Sequence, residues 1–280
     1  MLQLFSVAKA LATLLKYSYD TYDLAKTEDF HFLICEGSSF PPLLLKKDKR
    51  MDISLHYNSY GNGEPLILLH GNGENSDYFV HQIDYFAASY HVFAVDTRGH
   101  GQSPRGTAPF TIRQFADDLQ GLMQEHNLEK AIILGFSDGA NIAMSFALNY
   151  PESVCALILN AGNLNVWGLE ASTRRKIAKR YIKAFFRSRN SEREKRILEL
   201  QRLMIFDPNI HPKDLRAIRV PTLVIAGTED LIKPEHTDLI AKSIPGAVKV
   251  LIPGDHAIAL KNSAAFNRAV DDFLSQAFFS

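Results

Sequence analysis

The chain has 280 residues, 46% of them hydrophobic, enough for one large domain with a substantial core or for a domain carrying a small insertion. Lys plus Arg and Asp plus Glu each number 31, so the net charge is zero and composition exerts no general pull toward nucleic acid or anionic surfaces. Two cysteines, Cys35 and Cys155, stand far apart in apolar contexts without metal-like spacing, which reads as free thiols in a reducing, cytoplasmic compartment rather than as a disulfide framework.

The first segment, MLQLFSVAKALATLLKYSYD, has no basic run before its apolar residues and no small-residue cleavage site, so it is not expected to act as a secretory signal. It is also too short and too charged to span a bilayer. Leu4, Ala8, Leu11 and Leu15 recur at helical spacing. That helix either packs on the domain or makes a peripheral membrane contact. Residues 38–50, SSFPPLLLKKDKR, add a double proline and a basic cluster, so residues 1–50 read as a helical extension and linker.

Beyond residue 50 the pattern becomes regular. ISLHYNS, PLILLHG, HVFAVDT, AIILGFS, VCALILNAG, PTLVIAGT and VKVLIPG are short runs rich in Val, Ile and Leu that end in Gly, Asp, Ser or Thr, as buried strands do. Helical spacing fills residues 75–89, 111–126, 138–150, 235–244 and 260–277 between or after them. This alternation predicts an α/β fold with a mostly parallel sheet covered on both faces. Functional groups in such sheets gather at the carboxyl ends of the strands.

Several of those ends carry chemistry-bearing residues. Gly135-Phe136-Ser137-Asp138-Gly139 matches G-x-S-x-G between a strand and a helix, the turn that exposes a nucleophilic serine. A serine hydroxyl needs a base, and the base needs an orienting acid. Glu229 and Asp230 follow a late strand and His256 follows the next, which satisfies the order Ser, acid, His.

With these motifs residues 52–280 resemble the α/β-hydrolase superfamily. LLHGNGEN (68–75) is similar to its His-Gly oxyanion loop, and DTRGHGQS (96–103) to its D-x-R-G-x-G-x-S turn. The resemblance implies a core of residues 51–162 and 219–280, with a small helical cap over residues 163–218. It favours Asp230, at the end of a G-x-x-D turn, over Glu229 as the acid; Asp255, beside His256, is the remaining competitor. The implied activity is hydrolysis of a carboxylic ester through an acyl-enzyme by Ser137, His256 and Asp230. The oxyanion would be held by the backbone N–H of Asp138 and of Asn72 or Gly73. No cofactor and no metal are implied.

The Ser-Asp pair at the turn further resembles small-cap enzymes of the biphenyl-hydrolase-like and valacyclovir-hydrolase-like kind. By that likeness Asp138 either anchors a substrate ammonium or only stabilises the helix N-terminus. Trp167 joins it as a candidate substrate contact. From Trp167 to Leu200 there are eleven basic and four acidic residues, a cationic run that is either a solvated helix face or a surface steering anions. Ile177, Tyr181, Phe185, Leu198, Leu200 and Met204 line the pocket or hold the cap in place. His70 is expected to brace the oxyanion loop and His100 to serve structure, while the other histidines show no metal-like spacing. The alternatives to a small-ester hydrolase are a membrane-associated hydrolase of lysophospholipids or acylglycerols, and a slow-turnover ligand-binding protein. The expected partner is a small-molecule ester, with no nucleic acid.

Overall fold

The computed structural model describes residues 52–279. The N-terminal helix expected from Leu4 to Leu15, the linker and Cys35 lie outside the described residues. Seven strands form one sheet: β1 (Tyr57–Tyr60), β2 (Glu64–Leu69), β3 (Tyr90–Val95), β4 (Ala131–Phe136), β5 (Val154–Asn160), β6 (Thr222–Gly227) and β7 (Val248–Ile252). Their order across the sheet is β1-β3-β2-β4-β5-β6-β7. Only β1 is antiparallel to its neighbour; all other pairs run parallel. The helices are α1 (Val80–Phe86), α2 (Ile112–Glu125), α3 (Asp138–Asn149), α4 (Ala171–Arg187), α5 (Glu192–Phe206), α6 (Pro234–Ser243), α7 (Ile258–Lys261) and α8 (Ser263–Phe279).

The central strands are covered on both faces, which is why they read as unbroken apolar runs rather than as alternations. Ile67, Leu69, Phe93, Val95, Ile133, Leu157, Leu159 and Val224 face one way and share a core with Phe115, Leu119 and Met123 of α2, Ile142 and Phe146 of α3, and Ile240 of α6. Leu66, Leu68, Val92, Ala94, Ile132 and Leu134 alternate with them and are just as buried. Beyond that second face α1, α7 and α8 pack together, and Gln82 ties them by donating to the Ala259 carbonyl and to Asn267 Oδ1, both at 2.8 Å. Each fully buried Leu or Ile contributes roughly 1.5–3 kcal/mol.

Glu170–Gln201, with α4 and most of α5, forms a compact unit of its own; residues 52–169 and 202–279 form the other. Leu164, Leu203, Leu215 and Ile218 belong to the sheet's core, and their burial holds both flanking segments to it. Among the described residues no helix is long and apolar enough to cross a membrane.

One buried charge organises the loop after β3. Arg98 is fully buried and donates twice to Asp118 of α2, from Nε and Nη2, both at 2.6 Å. Its Nη2 also reaches Asp52 Oδ1 at 2.6 Å. Burial alone would lower the pKa of this guanidinium, but the two carboxylates more than reverse that, and Arg98 in turn holds Asp52 well below the usual carboxylate range. Removing one member of such a group leaves an uncompensated charge in the interior. Arg98→Leu is therefore expected to lower unfolding free energy by about 3–5 kcal/mol, read as a lower urea midpoint at unchanged slope. A change within experimental error would show that buried Asp118 does not need its partner.

Candidate active site

The turn after β4 is shaped by close backbone approaches. A Cβ on Gly139 would stand 1.9 Å from the Leu69 carbonyl oxygen of β2, and one on Gly135 would stand 2.2 Å from the Gly139 carbonyl oxygen. Only hydrogen fits at either place, so α3 can begin directly above the sheet. Ser137 takes φ 54° and ψ −116°, a region that costs a non-glycine residue about 1–3 kcal/mol. Its backbone is pinned by donating to the Asn160 carbonyl of β5 at 2.8 Å and by accepting from the Ala140 and Asn141 N–H groups.

Ser137 Oγ lies 3.1 Å from His256 Nε2, and His256 Nδ1 lies 2.7 Å from Asp230 Oδ1. The carboxylate makes Nδ1 the protonated nitrogen, which leaves Nε2 as acceptor for the serine hydroxyl. Asp230 also accepts the Ile232 N–H at 2.9 Å, and its side chain is nearly sealed from solvent. Glu229 points to solvent. Asp255 is half-exposed, accepts the Ala257 N–H and pairs with Lys261, so it orders the turn before α7. Behind His256 the Phe136 ring lies 4.9 Å away, and buried Tyr78 stacks on that ring at 4.3 Å. These rings back the imidazole with an apolar wall.

The 68–75 loop is held by two neutral imidazoles. His70 Nε2 accepts the Thr97 N–H at 3.0 Å, and Nδ1 donates to the Gly71 carbonyl at 2.8 Å. Burial pushes its pKa down, in keeping with that neutral form. His100 Nε2 accepts the Gly73 N–H at 3.1 Å. The Gly73 donor is thereby committed to the protein. Asp138 opens α3, where an N–H has no acceptor inside the helix.

Asp138 itself is buried in a ladder of amides. Its Oδ2 accepts from Asn72 Nδ2 at 2.8 Å and its Oδ1 from Asn141 Nδ2 at 3.2 Å. Asn141 continues to Asn163, taking the Asn163 N–H on Oδ1 at 2.8 Å. The ladder joins the 68–75 loop, the first turn of α3 and the segment after β5. Burial raises the pKa of Asp138, against the opposing effect of its amide donors. Asp207, after α5, is pushed up to about 7 by burial and then by the charge of Asp138. Trp167 sits half-buried in the turn Val166–Gly168, and its N–H donates to Asn165 Oδ1 at 3.0 Å.

Asn141, Asn163, Asp207 and Tyr78 were not singled out from the sequence. Asn141 carried a weak signal, since it stands one helical turn after Asp138, whereas Asp207 carried none. Among the described residues no group of three or more His, Cys, Asp or Glu side chains could hold a metal ion.

A further histidine supports the rim of this region. His236, in the first turn of α6, accepts the Leu164 N–H on Nε2 at 2.9 Å. Burial, and then Lys233, lower its pKa to about 4 from 6.5. The unfolded chain therefore takes up this proton first as pH falls. The contribution is complete above pH 6.5, is lost progressively down to about pH 4, and is flat below. Urea unfolding across that window is expected to show a loss of a few kcal/mol, of which His236→Gln removes this component. An unchanged pH slope in the variant would refute the assignment.

Comparison with known proteins places these features in context. The model of the alpha/beta hydrolase fold matches residues 64–208. Human "Serine hydrolase BPHL" is 28% identical over 250 residues, covering 79% of this chain and 83% of that protein. "3-Oxoadipate enol-lactonase 2" of Acinetobacter baylyi is 25% identical over 248 residues, covering 79% and 92%. The crystal structure of an enol-lactonase from Burkholderia xenovorans superposes with a TM-score of 0.68 at 22% identity, over 80% of this chain and 97% of that one.

Proposed function

The chain belongs to the alpha/beta hydrolase fold family, and on that premise we propose that it is a cofactor-independent serine hydrolase cleaving a small or medium carboxylic ester through an acyl-enzyme. The observation that carries this reading is the unbroken hydrogen-bonded line from Asp230 through His256 to Ser137. Ser137 Oγ attacks the ester carbonyl while His256 Nε2 takes its proton; the C–O bond to the alcohol then breaks as the imidazolium returns that proton to the leaving oxygen. Water repeats the sequence on the acyl-enzyme and releases the acid. Asp230 holds the tautomer and stabilises the imidazolium.

The tetrahedral oxyanion is assigned to the backbone N–H groups of Asp138 and Asn72. The His100 bond to Gly73 supports Asn72 as the second donor, and the ladder from Asp138 to the Asn72 side chain supports a preorganised loop. One relative is named a serine hydrolase and another an enol-lactonase, whose cyclic ester undergoes the same acyl transfer to water. A fluorophosphonate probe is expected to label Ser137. Ser137→Ala and His256→Ala should keep the fold and lose at least about three orders of magnitude in kcat. Retained turnover in Ser137→Ala would overturn the mechanism, and labelling without turnover on an ester, lactone and carbamate panel would favour a ligand-binding protein.

A second reading concerns the substrate. The carboxyl group of Asp138, buried next to the nucleophile in the chain and held by Asn72 and Asn141, is the group that would favour esters bearing an ammonium group, with Trp167 as an apolar wall. Asp138→Asn preserves the amide ladder in outline but removes the charge. If Asp138 anchors an ammonium, KM for α-aminoacyl esters rises by about 10–100-fold, since a hydrogen bond to a charged group contributes roughly 1.5–3 kcal/mol, while neutral esters are unaffected. Equal effects on both substrate classes would restrict Asp138 to bracing the loop.

A further inference from the structure

Helix α4 reads ASTRRKIAKRYIKAFFR and contains seven basic residues and no acidic one. Arg174 lies on the buried side of the helix with Ile177, Ala178, Tyr181 and Ala184. The other six, Arg175, Lys176, Lys179, Arg180, Lys183 and Arg187, are exposed. At helical spacing they occupy one arc of about 140° and extend along roughly 18 Å of the axis. Phe186 projects into the same arc and is 69% exposed.

The neighbouring helix treats its charges differently. In α5 Lys195 pairs with Glu192 at 2.5 Å and Arg196 with Glu199 at 3.6 Å, while Glu194 takes Arg187 at 3.9 Å. Among the described residues no carboxylate lies at ion-pair distance from Arg175, Lys176, Lys179, Arg180 or Lys183. Like charges repeated four residues apart weaken an isolated helix, and an aromatic ring left in water gains nothing from burial. Both features are relieved by a surface that is anionic outside and apolar just beneath.

We propose that the exposed face of α4 docks on an anionic lipid bilayer, its cations against headgroup phosphates and carboxylates and the Phe186 ring among the upper acyl chains. Single-stranded nucleic acid would satisfy the cations, but its binders use a cationic groove lined by several stacking rings. Helix α4 presents a convex face with one. This docking is independent of the reading of Ser137.

The test is co-flotation of the full-length protein with phosphatidylcholine vesicles, with and without about a third of phosphatidylserine, at low and physiological salt. Binding is expected only to the anionic vesicles and to weaken as salt rises. Each exposed base removed should lower partitioning about fivefold, so Lys179→Gln with Lys183→Gln together lower it roughly 25-fold. Phe186→Ser should weaken binding without changing its salt dependence, and Lys195→Gln, on the charge-matched helix, should change little. Thermal unfolding of these surface variants is expected to match the parent. Equal binding to neutral vesicles, or anionic binding indifferent to the Lys179 and Lys183 changes, would overturn the proposal. So would tighter, salt-sensitive binding to a single-stranded oligonucleotide than to anionic vesicles.

Discussion

The approach of the Gly139 backbone to the Leu69 carbonyl is the constraint on which the candidate site rests. No side chain can stand between helix α3 and strand β2 at that point, and none can stand between Gly135 and Gly139. The helix therefore starts directly over the carboxyl ends of β2 and β4. That places the start of the helix, with Asp138, beside the 68–75 loop, and forces Ser137 to a positive φ with its hydroxyl toward His256. Core packing on both sides of the sheet supplies the stability that offsets this local strain.

The loops around the turn depend on histidines being neutral. His70, His100 and His236 each accept a backbone N–H on Nε2, a bond that a second ring proton would remove. Burial favours the neutral state in His70 and His236. His256 occupies a different setting, with a carboxylate on one nitrogen and a hydroxyl on the other. One residue type thus supplies both fixed acceptors of backbone N–H groups and a ring held between a carboxylate and a hydroxyl. The division follows from what each ring faces.

The asparagines act as struts of another kind. Asn72, Asn141 and Asn163 connect three separate chain segments through the Asp138 carboxylate. A carboxylate so placed is well solvated by amides yet remains inside the protein, so burial still raises its pKa. Its neighbour Asp207 feels both burial and that charge. Both carboxyl groups thus lie where burial opposes their ionisation.

Much of this was legible before any coordinates, for a physical reason in each case. Strands buried on both faces must be continuously apolar, so the central strands announced themselves. The turn around Ser137 demands glycine two residues away on either side, and the acid and the histidine must end successive strands. Those requirements are local in sequence. What they leave undecided involves residues far apart in the chain. Whether Glu229, Asp230 or Asp255 meets His256, and whether Gly73 already has an acceptor, depend on which side chains the sheet brings together. That Leu164, Leu203 and Leu215 join the core depends on the sheet they meet, and the unmatched charge of α4 on where the acids of α5 lie. The sequence by itself determined the fold class and the residue types at the strand ends, because periodicity and close backbone approach act over a few residues. Only the tertiary structure decided the hydrogen-bond partners, because a partner is set by distance in space.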